Sequence, residues 1–411
     1  MLTHTQLQFL VLLRAGLWDK PVNINELLDP EKYQSTENKN KPQNKRNNKK
    51  NTESANDSQG IVIDWPAIYH ISREQTVVGL IVDAINTLPA ELMPPKAIAQ
   101  RFAIDKLNIE RSHLKLNSVL KIVVEALNKE GIPHVLLKGQ GVAQNYPNPT
   151  SRTCGDIDLY IGQDNFEYTK EILITLSDNP KEKIKETIKH ASFQIHGIEI
   201  EIHRIATYFG SQRTNERFQS YTYTILDASM NNLTNTHPLE EWNNMGSIIY
   251  MPCPTYNAIF QITHMIYHFI DSGIGLRQLC DWTRLIYTHT FNELELQKVI
   301  KEFKLEKAWT GIASIAHNFL GLPQENIPYC NNIDKKLSER MLRIIFMTGN
   351  FGQYDTAAPT RRNKKYLKQK YNRFIYHLKY FTRIFPLFPN MVTAYIFQWL
   401  KEGIKTVLKS K

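Results

Sequence analysis

The chain has 411 residues, 42% apolar and 22% charged, with four cysteines and a net charge of +10. Such values exclude a collagen-like or wholly disordered chain and a small disulfide-stapled scaffold, and they leave room for two or three domains. The charge is uneven: residues 361–411 hold 13 Lys and Arg against one acid, Glu402, a net +12, which leaves −2 for the rest.

Residues 1–30 read as helical, and "MLTHTQLQFLVLLRAGLW" lacks the basic start and small-residue cleavage site of a secretory signal. An amphipathic helix is expected there, and no apolar run reaches the length of a membrane span. The cysteines, Cys154, Cys253, Cys280 and Cys330, form no C-x-x-C pair, so neither a zinc framework nor disulfides are expected and a reducing, cytoplasmic setting is. Residues 35–60 carry one aliphatic side chain, Ala55, among Asn and Lys. Too little surface can be buried there to offset ordering entropy, so this insert is expected to be disordered. Apolar residues at three- and four-residue spacing predict helices from Val62 to about Lys129, with Gly131 as the C-cap.

The period then changes. "PHVLLK", Pro133 to Lys138, follows Gly and Pro and predicts a buried strand. "QGVAQNY" fits a short helix ended by Pro147 and Pro149. "DIDLYIG" predicts a second strand, and "QDNFEYTKEILITLS" a helix with Asp164 and Glu167 in a capping box. "ASFQIHGIEIEIHR" predicts two strands turning at His196-Gly197. Beyond Pro252 the spacing is helical again, including the basic, aromatic-rich tail.

In a strand, residues two apart share a face, so Asp156 and Asp158 project together. Adjacent carboxylates repel, and a divalent cation keeps both ionised. Magnesium takes one or two carboxylates plus substrate phosphates. Gly139 after an apolar strand suits backbone contact with an anion, flanked by Lys138 and Arg152. "IEIEIH" offers a third acid, either Glu199 or Glu201, with His203 on the same face. His264 and His268, four apart, have no evident third ligand, so packing or substrate contact is expected of them. Arg277 and Asp281 are also four apart and fit a helical ion pair.

The strand ending in "LLKG", an Arg shortly before "GDIDLYI" and a later acid-x-His strand together resemble the uncharacterised nucleotidyltransferase family of the DNA polymerase beta superfamily. "IDWPAIYHISREQTVVGLIVDAI", "LPAEL" and "THMIYHFIDSGIGLRQLCDWTRLI" resemble that family's flanking helical regions, so the likeness covers most of the chain outside the insert. The family's third acid is commonly Asp, whereas this chain has Glu, and Cys154 stands where small or apolar residues are usual.

The resemblance implies an α+β fold: a small polymerase-beta-like α/β core flanked by N- and C-terminal helical regions. The expected division is a helical segment at 1–34, the insert at 35–60, helices at 61–118, the nucleotidyltransferase core at 119–210, a connection at 211–251, a helical domain at 252–360 and the basic tail at 361–411. The implied activity is transfer of a nucleoside monophosphate from an NTP to an unidentified small-molecule, protein or RNA acceptor. Two Mg2+ ions are expected on Asp156, Asp158 and Glu201, with the donor held at Lys138, Gly139 and Arg152. The alternative is a non-catalytic module that binds nucleotide or nucleic acid. The tail could contact nucleic acid or an anionic surface, although two helices packing an apolar face on the body explain it as well.

Overall fold

The computed structural model describes residues 1–32, 62–181, 184–231, 237–330, 332–359 and 366–409. The expected disordered insert, 35–60, lies outside the described residues, as does the start of the basic tail, 361–365.

The chain starts with α1 (His4–Trp18), capped by a Thr3–Gln6 capping box, and α2 (Ile24–Leu28). α3 (Trp65–Glu74), α4 (Val78–Ile85) and the long α5 (Lys96–Lys129) follow. α1 is not the amphipathic helix expected from the sequence. Ten of its residues are buried, and even the Gln8 side chain is enclosed, its amide donating to the Leu27 carbonyl at 3.2 Å. The helix is covered on several sides at once, by α3, α4 and a helix from the far end of the sequence, so no face needs to be polar.

The central unit is a five-stranded sheet in the order β1-β2-β5-β4-β3. Its strands are β1 (Val135–Leu136), β2 (Asp156–Tyr160), β3 (Lys185–Glu186), β4 (His190–Ile195) and β5 (Ile198–His203). Between them run the short α6 (Gln140–Ala143) and α7 (Phe166–Leu176). β2 and β5 pair in parallel, and the other pairings are antiparallel. α7 begins after Asn165 without a side-chain cap. The expected Asp164–Glu167 box does not form, because Glu167 turns to Lys170 and Arg204 instead.

Ile157 and Leu159 of β2, and Ile200 and Ile202 of β5, are fully buried against Leu120, Val123 and Leu127 of α5. Each such side chain contributes about 1.5–3 kcal/mol on burial. Strand alternation then sends the polar residues to the opposite face. The apolar half of each strand thus fixes where its acids point.

The segment at 211–251, expected only as a connection, holds α8 (Gln212–Thr222), a π turn at Tyr223–Asp227, α9 (Ala228–Met230) and a hairpin of β6 (Glu240–Asn244) and β7 (Ser247–Met251). Helices α10 (Pro254–Asp271), α11 (Leu276–Thr288), α12 (Glu293–Glu302), α13 (Glu306–Leu320) and α14 (Lys335–Thr348) follow. α15 (Tyr366–Ile384) and α16 (Pro389–Lys409) complete the described chain. The N-terminal and C-terminal helices share one apolar core, to which Tyr380, Phe381, Ile384, Phe388, Val392 and Tyr395 of the tail contribute. The fold is α+β, a small mixed sheet flanked by helices, as the resemblance implied. No helix among the described residues is long and apolar enough to cross a membrane.

Candidate active site

β2 and β5 bring the acids together. Parallel pairing sets Asp156 beside Glu199 and Asp158 beside Glu201. Carboxylate oxygens of Asp156, Asp158 and Glu201 lie within 4.8 Å of one another. The Glu199 side chain, although in register with Asp156, is outside that cluster and lines a separate cleft with Ser177 and Gln194. Of the two third acids left open by the sequence, Glu201 is the one whose carboxylate joins both aspartates.

Asp158 is the buried centre, 1% exposed. Lys138 Nζ and His203 Nε2 each lie 2.9 Å from its Oδ1, and His203 Nε2 is also 3.3 Å from Glu201 Oε2. Burial alone would push the Asp158 carboxyl up, but the Lys138 ammonium and His203 overcome this and hold it far below the usual carboxylate range. Asp156 goes the other way. The neighbouring Asp158 charge, then burial, raises its pKa, and Lys138 only partly compensates. Compensation is thus uneven: Lys138 and His203 both meet Asp158, and Asp156 is left the poorly matched carboxylate.

The Lys138 backbone leads into Gly139 at φ 65°, ψ −122°, a region open essentially to glycine alone. A Cβ there would also sit 3.3 Å from the Asp156 carbonyl oxygen. The turn brings the start of α6 against the acids, and Gly139, Asp156 and Asp158 line a cleft with Gly155, Gln261, His264 and Arg277, while Glu201 stands at its edge.

Arg152 also borders this cleft, but its charge is already matched. Its Nε and Nη2 donate to the two Asp281 carboxylate oxygens at 2.7 Å each, and Nη1 donates to Cys154 Sγ at 2.9 Å. Tyr146 Oη donates to the same carboxylate at 2.7 Å. Asp281 therefore pairs across the chain with Arg152, and the helical Arg277–Asp281 pair does not form. Arg277 Nη1 donates to the Thr153 carbonyl at 2.9 Å, and its Nε is buried without a hydrogen-bond partner. Burial, then the Arg152 charge, lowers the Arg277 pKa.

His264 and His268 stack edge to face at 4.5 Å and belong to neither metal-capable cluster among the described residues. Burial and the Lys138 charge hold both imidazoles neutral, His268 at a pKa of about 4. All four cysteines are free.

Two residues at the site carried no signal noticed in the sequence. Lys189 lies over the Tyr267 ring at 5.6 Å, and burial with the nearby Lys138 charge lowers its amine to about 8. His190 Nδ1 lies 3.6 Å from Glu201 Oε2. The hairpin could have revealed His190: a two-residue turn at His196-Gly197 pairs Ile195 with Ile198, and counting back sets His190 opposite His203.

A family model described as "Uncharacterised nucleotidyltransferase" matches residues 62–321. A crystal structure of an antigenic nucleotidyltransferase-like protein from Paracoccidioides brasiliensis is similar at 15% identity, over 47% of this chain and 91% of that one, with a TM-score of 0.29. No curated protein matches the chain.

Proposed function

The chain belongs to the uncharacterised nucleotidyltransferase family, and on that premise we propose that it transfers a nucleoside monophosphate from an NTP to an acceptor in the Asp156–Asp158–Glu201 cleft. The observation that carries the proposal is the cluster itself: three carboxylates converge within 4.8 Å, one of them raised in pKa by its neighbour. An all-oxygen set of three carboxylates fits Mg2+. Asp156, Asp158 and Glu201 would hold it, and bound there it supplies charge neutralisation for the phosphates and a more acidic acceptor hydroxyl.

The chain's own residues do the rest. The Gly139 turn lets the backbone approach the triphosphate without a side chain in the way. Lys138 supplies a cation already at the acids. We assign the second cationic contact to Arg277, whose Nε lacks a partner. Arg152, bound to Asp281, holds the loop before β2 in place and borders the donor without giving up its carboxylate. The acceptor oxygen bonds to the α-phosphorus, the bond to the bridging oxygen breaks, and its electron pair leaves with pyrophosphate. Glu201, partly exposed at the cluster edge, takes the acceptor proton in this reading.

The test is pyrophosphate release from each NTP with Mg2+ and a panel of hydroxyl acceptors. Wild type is expected to release it, and Asp158→Asn to lose several kcal/mol of transition-state stabilisation, a rate fall on the order of 10³-fold. Failure of every NTP to bind in the presence of Mg2+ overturns the proposal.

A further inference from the structure

The polar edge of the β4–β5 hairpin carries a second ligand set. Cross-strand pairing places His190 directly opposite His203, and Glu201 lies two residues before His203 on the same face. His203 Nε2 is 3.3 Å and His190 Nδ1 is 3.6 Å from the same atom, Glu201 Oε2. All three ligand atoms lie within 4.8 Å of one another. An ion with tetrahedral bonds of 2.0–2.1 Å has ligands about 3.3 Å apart, close to the two shorter separations. His203 is 3% exposed. His190 Nδ1 is enclosed and makes no hydrogen bond, so that nitrogen faces the Glu201 carboxylate from just beyond hydrogen-bonding distance with no other partner.

We propose that His190, Glu201 and His203 form a site for a borderline divalent cation of the zinc type, adjoining the three-acid site and sharing Glu201 with it. Imidazole favours zinc, cobalt, nickel and copper, whereas Mg2+ keeps to oxygen and water. Two histidines and one carboxylate leave a fourth position open, the composition of several catalytic zinc centres. Asp158 Oδ1, 2.9 Å from His203 Nε2, stands at the border of the two sets. Because one carboxylate serves both, an ion held by the histidines limits how Glu201 can serve the neighbouring acids. This site requires no nucleotide and stands or falls independently of the transfer proposed above.

The experiment uses the full chain, stripped of metal, titrated with Co2+ and followed by visible absorption and calorimetry. Wild type is expected to bind one Co2+ with the strong bands of a four-coordinate, nitrogen-containing site. His190→Gln, and separately His190→Ala, is expected to lose those bands and weaken binding beyond the roughly 10–100-fold typical of losing a supporting second-shell partner. Circular dichroism identifies whichever variant retains the fold, and that variant is the one read. Asp156→Asn is expected to retain the bands while losing Mg2+-dependent NTP binding, which separates the two sites. A weak, six-coordinate, oxygen-only spectrum in wild type, or unchanged Co2+ affinity in the folded His190 variant, overturns the proposal.

Discussion

Two buried charge clusters lie side by side in this protein, and they are built on opposite plans. At the first, one guanidinium meets one carboxylate through two parallel hydrogen bonds: Arg152 and Asp281, 6% exposed each, with Tyr146 closing the remaining gap. At the second, Asp156, Asp158 and Glu201 crowd around Lys138 and His203, and one carboxyl is held far down while its neighbour is pushed up. The first cluster is neutral and complete, so it holds chain to chain. The second is unevenly compensated, with Asp156 raised by its neighbour at the wall of a cleft, the condition expected of a site that accepts a cation.

Breaking the complete cluster gives the largest effect. Asp281→Ala leaves the Arg152 guanidinium buried without its partner, and such a change costs about 3–5 kcal/mol. Urea unfolding measures it; a loss under about 1 kcal/mol would place the pair among ordinary surface contacts. Gly139→Ala comes next, at about 1–3 kcal/mol, because an L side chain is forced into the glycine-only region. Its cleft function is checked by NTP affinity, which is expected to fall along with stability.

The unevenly compensated cluster responds with the opposite sign. Asp156→Asn removes a repelled charge and is expected to stabilise the metal-free protein by a few tenths to about 1 kcal/mol, the size of a like-charge cross-strand term. The wild-type pH dependence has the matching sign. The folded Asp156 pKa is raised, so between the unfolded value and the folded one the native state holds more protons, and this group's contribution to stability falls as pH rises.

Lys189 is read by its reactivity and not by unfolding. An unfolded lysine keeps its proton to about pH 10.4, and the folded one only to about 8. Between the two the unfolded chain binds more protons, so this group's contribution rises with pH. Acylation of Lys189 followed by mass spectrometry is expected to show a reactivity midpoint near 8, against that of an ordinary lysine in Lys189→Ala-insensitive peptides.

Much of the candidate site was legible because it is local. The strand before Lys138, shorter in the structure (Val135–Leu136) than the expected Pro133–Lys138, the glycine turn and the alternating acids of β2 and β5 follow from apolar patterning and turn chemistry, and the family resemblance is borne out by the match over 62–321. Whether Glu199 or Glu201 joined the aspartates depended on strand register and the clefts around it, which periodicity does not carry. The Arg152–Asp281 pair spans 129 positions; spacing alone favoured the nearby Arg277, four residues away on the same helix. α1 misled for a related reason. Its environment is set by helices from both ends of the sequence, so burial all round cannot be inferred from its own residues.

The most direct test of the central contrast is thermal unfolding of metal-free protein titrated with Mg2+, in wild type and Asp156→Asn. A cation-seeking cluster predicts that Mg2+ raises the wild-type Tm, and that Asp156→Asn starts higher and responds less. A wild-type Tm indifferent to Mg2+, with Asp156→Asn starting lower, would contradict it.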